Sequence, residues 1–202
     1  VTKTELEAMD GQADRCVQEL ADAAPDVIGY ACLVAIMSMG KGYHAVAEER
    51  LASIARQSSP RTEGVTSAGA LLDGIRALGS KRVAIVTPYM KPLTQLVVDY
   101  IQYEGIQVVD AISLEISDNR AVGARAPLAL VAIVKDLKTA SADAIVLSAC
   151  VQMPSLAAIP RVEESCGLPV LSAATATTFA MLRRLGLARR VPNAGRLLDG
   201  SF

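Results

Sequence analysis

One arrangement occurs twice in this chain. Gly29-Tyr30-Ala31-Cys32-Leu33-Val34 ends one short apolar run, and Leu147-Ser148-Ala149-Cys150-Val151-Gln152 ends another. Each run opens on an aspartate, Asp26 or Asp143. β-type residues carry both runs and helical patterns flank them, so each thiol is expected at the carboxyl end of a parallel strand. Open α/β sheets take their ligands at that edge. The repetition predicts an α/β protein of two pseudo-symmetric half-domains with parallel, Rossmann-like sheets and an active site in the cleft between them. We read the halves as residues 1–80 and 81–185, with the tail 186–202 returning to the first.

Composition supports such a core. Hydrophobic residues are 51% of the 202, yet aromatics are 3% and Trp is absent. Small aliphatic side chains must therefore fill the interior, as they do in helix-covered parallel sheets. Twenty basic residues against 21 acidic ones leave a net charge of −1, which offers no footprint for nucleic acid. No apolar run approaches the ~20 residues of a membrane span. Residues 1–20 are charged and helix-patterned, unlike a signal peptide. Four cysteines are too few for a disulfide scaffold, so a reduced, cytoplasmic setting is expected, where a conspicuous cysteine serves chemistry.

Taken in order, Thr4 and Glu7 resemble a capping box. Leu6, Met9, Ala13, Cys16, Val17 and Leu20 then predict one amphipathic helix over 4–22, with Cys16 in its buried stripe. Residues 26–31 read as a strand. Residues 36–44, with Met37, Met39, Gly40 and Gly42, read as a mobile loop, and a helix follows over about 45–57. His44, the single histidine, falls near that helix start and is read as solvated or capping. A polar, turn-rich stretch occupies 57–64. Thr66-Ser67 then caps a helix that ends at Gly79.

Residues 83–87 form the next apolar strand, and Pro88-Tyr89-Met90 leads from it into a helix closed by Gly105. A strand over 106–113 precedes Ser117-Asp118-Asn119 and a long helix over roughly 121–138. Tyr89 and Asn119 occupy loops of the kind that carry ligating side chains, although both are also ordinary turn residues. After the second thiol-bearing strand, Pro154 suits a helix start and Pro160 a kink within 154–165. Cys166 is read as structural. A last strand at 169–172 and a helix through 185 precede an Arg-rich tail without a clear element.

A thiolate is a strong nucleophile at neutral pH, and a thiol beside another can donate or remove a proton. Two cysteines flanking a carbon acid permit one-base, two-base or nucleophile-plus-acid chemistry with neither metal nor organic cofactor. A metal site is disfavoured by the lack of a Cys-x-x-Cys pair and the single histidine. A Cys32–Cys150 redox disulfide stays open, since it requires only that the Cα atoms lie within about 7 Å.

These residues carry a resemblance. Tyr30-Ala31-Cys32-Leu33-Val34-Ala35, Thr87-Pro88-Tyr89-Met90, Asp118-Asn119, Cys150-Val151-Gln152-Met153-Pro154-Ser155 and Val170-Leu171-Ser172-Ala173-Ala174-Thr175-Ala176 resemble the aspartate/glutamate racemase superfamily. Within it they are most similar to the maleate cis-trans isomerases. The resemblance implies Cys32 as the nucleophile that adds to an alkene carbon of maleate and Cys150 as the opposing acid/base. Tyr89 and Asn119 are implied donors to the carboxylates, as are the backbone N–H groups of Leu33, Val34 and Val151. It also implies a cofactor-free reaction, a homodimer, and a first strand, absent from this sequence, whose following loop supplies an Asn ligand. A lid formed by residues 37–42 is expected to shield the intermediate from water.

Rival readings are a two-cysteine amino-acid or hydantoin racemase, and a thiol-redox or small-acid-binding protein on the same fold. The racemase needs an acidic partner for an ammonium group, and none stands out in the sequence. An arylmalonate-type decarboxylase would keep a cysteine matching Cys150 but not Cys32.

Overall fold

The computed structural model describes residues 3–202. Its strands fall into two parallel sheets. In the first, β1 (Val27–Tyr30) pairs with β2 (Glu63–Thr66), Ile28 opposite Gly64 and Tyr30 opposite Thr66. The second contains β3 (Arg82–Thr87), β4 (Gln107–Ser113), β5 (Ala144–Ser148) and β6 (Val170–Ser172), in the spatial order β4-β3-β5-β6. β3, β5 and β6 are almost wholly buried, which is why their sequences are continuous apolar runs rather than alternating ones.

Helices α1 (Lys3–Asp10), α2 (Ala13–Ala21), α3 (Leu33–Ser38), α4 (Tyr43–Ala55) and α5 (Ser67–Ala77) belong to the first part of the chain. α6 (Lys91–Tyr103), α7 (Asn119–Gly123), α8 (Ala129–Ile133), α9 (Ile159–Cys166) and α10 (Ala173–Arg184) follow. The largest apolar cluster joins α3, α5 and α6 to β3, β5 and α10, so the two sheets share one interior. Among the described residues no helix is long and apolar enough to cross a membrane.

Several local expectations need correction. The single helix over 4–22 is two helices, because the chain turns at Gly11-Gln12. Thr4 lies inside α1 rather than capping it. The break also rotates the second stripe: α2 buries Ala13, Val17 and Ala21, while Cys16 and Leu20 face outward. Of the loop expected over 36–44, Ile36, Met37 and Ser38 belong to α3, every residue of which is buried, and Tyr43 and His44 open α4. An element apolar nearly all round belongs in an interior, so Ile36, Met37 and Ser38 are held in the core. Only the turn at 39–42 is loop-like, with Gly40 at φ 122° and Gly42 at φ 74°, conformations that favour glycine.

The turn-rich stretch hides β2, four residues too short for a periodic signal. The helix expected over 121–138 is interrupted around Pro127, leaving α7, α8 and a 3₁₀ turn at Val134–Asp136. α9 begins at Ile159 and takes Pro160 into its first turn, where a missing N–H costs nothing. The tail is ordered too. Its Arg190–Asp199 bridge and the turn at Arg196–Leu198 bury Leu197 and Leu198 in the main core.

Candidate active site

The order of the second sheet locates the cleft. From β3 the chain proceeds outward to β4 on one side; from β5 it proceeds to β6 on the other. Loops leaving β3 and β5 therefore diverge, and the gap between them is a topological switch point. Tyr89 follows β3, Cys150 follows β5, and Asn119 lies beyond β4. Cys32 arrives from the end of β1, in the other sheet. A cavity of about 640 Å³ opens here, and Cys32, Leu33, Val34, Tyr89, Asn119, Cys150 and Val151 all line it.

Cys32 is the N-cap of α3, in extended backbone conformation at φ −120°. Its thiol forms no cap hydrogen bond, but the N–H groups of Ala35 and Val34 lie on its side and favour the thiolate. Burial outweighs them. Loss of solvent, joined by the nearby Cys150 sulfur, pushes the Cys32 thiol above the ordinary cysteine range. That coupling places the two sulfurs in one electrostatic environment. Cys150 is 8% exposed, and Ser148 Oγ fixes its turn by donating to the Cys150 carbonyl at 2.7 Å.

Tyr89 stands between the loops. Its O–H donates to the Ala149 carbonyl at 3.2 Å, and it also faces the Cys150 sulfur. Burial first, then the two cysteine sulfurs, push its phenol well above 10, so the hydroxyl stays protonated as a donor. The loop is held from behind: Thr94 Oγ1 donates to Ser113 Oγ at 2.9 Å, and Ser113 Oγ donates to the Tyr89 carbonyl. Leu114, Glu115 and Ile116 extend the ladder by donating N–H bonds to Thr87, Tyr89 and Pro88. This lock delivers Asn119 to the start of α7, whose N-cap Asp118 accepts from the Arg120 N–H at 2.9 Å.

Further lining residues escaped the sequence reading. Gln152 ties the two sides, since its Nε2 donates to the Asn119 carbonyl at 2.7 Å. The available signal was its place two residues after Cys150 in a strand-end loop. Glu5, Leu6 and Met9 of α1 also reach the cavity, and nothing in an amphipathic stripe distinguishes them from ordinary core. With Asp118, Glu5 puts carboxylates on a wall for which no acidic partner was foreseen.

His44 lies elsewhere. It is neither solvated nor a cap: the Tyr100 Oη accepts its backbone N–H at 3.1 Å and lies 2.7 Å from Nδ1. Among the described residues no three His, Cys, Asp or Glu side chains gather as a metal site.

The chain is similar to several known proteins. The arylmalonate decarboxylase family model matches residues 6–198. A maleate isomerase of Geobacillus stearothermophilus is 56% identical over the whole of this chain and 80% of its own. The crystal structure of a cysteine-to-alanine variant of the Pseudomonas putida S16 maleate isomerase with maleate superposes at a TM-score of 0.97. It is 61% identical, covering 100% of this chain and 80% of that one. A Nocardia farcinica maleate cis-trans isomerase, a cysteine-to-serine mutant with a covalently bound succinylcysteine intermediate, gives 0.95 at 46% identity, covering 100% and 82%.

Proposed function

The chain belongs to the maleate isomerases of the arylmalonate decarboxylase family, and we propose that it converts maleate to fumarate by reversible thiolate addition. The observation that carries this reading is the meeting of Cys32 and Cys150, from the ends of strands in two different sheets, on one cavity. A carbon–carbon double bond does not rotate thermally, so catalysis requires making it briefly single. The Cys32 thiolate adds to one alkene carbon, and the π pair moves into the neighbouring carboxylate. The N–H groups of Leu33, Val34 and Val151, with Tyr89 and Asn119, meet the charge on the carboxylates. Cys150, on the far side, lends and recovers a proton at the carbanion carbon. Rotation about the new single bond takes place while that proton is held, and its return to Cys150 with expulsion of Cys32 leaves the trans product.

The succinylcysteine intermediate of the Nocardia relative supports both the addition and the proton at carbon. We assign the halves to residues 1–80 and 81–185, and the protein to the cytoplasm as a homodimer. The four free thiols support a reducing compartment, and sedimentation would test the dimer.

The direct test is incubation with maleate, followed by ¹H NMR for the fumarate singlet. No fumarate, together with solvent-proton exchange at an amino-acid α-carbon, would replace this reading with the racemase. The raised Cys32 thiol sets the pH dependence. The thiolate is the reactive form, and its fraction grows tenfold per unit below the pKa. The rate kcat/KM should therefore climb with unit slope from pH 6 to 8, levelling only above the usual thiol value of about 8.5. Alkylation of Cys32 by iodoacetamide should track it; a flat profile over that range contradicts the assignment.

Tyr89→Phe isolates the phenolic donor. The fold loses one hydrogen bond, to Ala149, a matter of about 1 kcal/mol. Turnover loses a preorganised donor, and kcat/KM should fall by about 10²-fold. Unchanged kinetics would remove Tyr89 from the site.

A further inference from the structure

A second cavity, of about 390 Å³, adjoins the first and shares Tyr89, Ser117, Asn119, Cys150 and Gln152 with it. Beyond those shared residues its walls are apolar, chiefly Leu93 and Leu96 of α6 with Ile116 before α7 and Val122 within it. No charged side chain lines it. Maleate presents two carboxylates and two CH carbons, so it has nothing to place in such a chamber. An alkyl branch on the alkene does.

We propose that this chamber makes the protein an isomerase of 2-alkylmaleates, with the branch lodged between α6 and α7. The inference rests on the maleate isomerase reading and extends its substrate class. Cys150 borders the chamber whereas Cys32 does not, so the branched carbon lies nearer Cys150 and Cys32 adds to the unbranched CH. A sulfur–carbon bond forms there, and the π pair shifts to the branched carbon and its carboxylate. After rotation the pair restores the double bond as the carbon–sulfur bond breaks. The product is the 2-alkylfumarate, and no oxidant, water or net proton is consumed. Each methylene moved from water to an apolar wall is worth roughly a fourfold gain in binding, which offsets the steric demand of the branch.

The test follows maleate and its 2-methyl, 2-ethyl and 2-propyl derivatives by ¹H NMR with the full chain. Wild-type kcat/KM for the 2-propyl compound should stay within about tenfold of that for maleate. Leu96→Phe fills the chamber without touching either thiol. It should leave maleate turnover within about twofold and depress 2-propylmaleate at least twentyfold, with an unchanged thermal midpoint confirming the fold. Should Leu96→Phe disturb folding, Leu93→Met, which reshapes the same wall, must still alter the ratio of the two substrates. Turnover of maleate with none of the alkyl series, or equal losses on both substrates in the filled variants, overturns the proposal. Absence of maleate turnover in the wild type overturns the underlying reading and this one with it.

Discussion

Cys32→Ala should lower kcat for maleate isomerisation by at least about 10⁴-fold, some 5 kcal/mol of transition-state stabilisation. Without a nucleophile to make the alkene carbon tetrahedral, the remaining donors can bind the carboxylates but cannot unlock the double bond. Cys32→Ser should be nearly as inactive, because a hydroxyl at this position is not ionised near neutral pH. Cys150→Ala should cost less, about 10²–10⁴-fold, the range for general acid–base assistance. The ordering is the informative part. Folding should be spared in each case, since the Cys32 thiol makes no cap bond and removing one sulfur at a cavity wall exposes little core. Residual activity above a tenth in Cys32→Ala, or a larger loss from Cys150→Ala, would reverse the roles assigned to the two thiols. Circular dichroism and thermal midpoints of the variants exclude a folding artefact.

Gly64→Ala should destabilise the fold by about 3 kcal/mol, the scale of an overpacked interior. α4 crosses β2 at this residue. A Cβ built on Gly64 would lie 2.6 Å from the Glu48 carbonyl oxygen and 3.2 Å from the Ala52 nitrogen. Both are backbone atoms of a helix and cannot swing aside, so α4 must lift from the sheet. That motion would strain the bonds from Thr66 N–H and Oγ1 to the Glu48 carboxylate, at 3.1 and 3.0 Å. For a chain of this size the thermal midpoint should drop roughly 6–12 °C. Gly29→Ala in the paired strand is the control. Its nearest neighbour is the flexible Met181 side chain, Sδ at 3.3 Å, which has room to move. Equal stabilities for the two variants would show that α4 does not rest on β2 as described.

β2 is also the element that reading the residues missed. Glu63-Gly64-Val65-Thr66 contains a glycine and spans only four positions, so no alternation can show. It is a strand because β1 supplies its hydrogen bonds and α4 covers it, and neither partner is near in sequence. Thr66 was different. Its side chain accepts the Gly69 N–H three residues on, a local contact that leaves a local trace. The strand-end cysteines were legible for a similar reason, since an apolar run broken by a polar loop is visible within ten residues. The end of α3, residues 36–38, was misread because the methionines and glycines around it suggested mobility, whereas its apolar surface demanded burial. Cys16 was misread because a stripe counted across Gly11-Gln12 assumes a continuous helix.

By itself the amino-acid order determined the parallel α/β character, the strands that end in Cys32 and Cys150, and the cap that starts α5. These depend on periodicity and on contacts spanning a few residues. Only the tertiary structure decided that β3 and β5 lie side by side with their successors on opposite flanks, and that β1 brings Cys32 to the gap this opens. It also decided that Gln152 bridges to Asn119 and that an apolar chamber continues past Cys150. Strand neighbours are chosen by hydrogen bonding and burial summed over the whole chain, and no local pattern encodes which edge meets which.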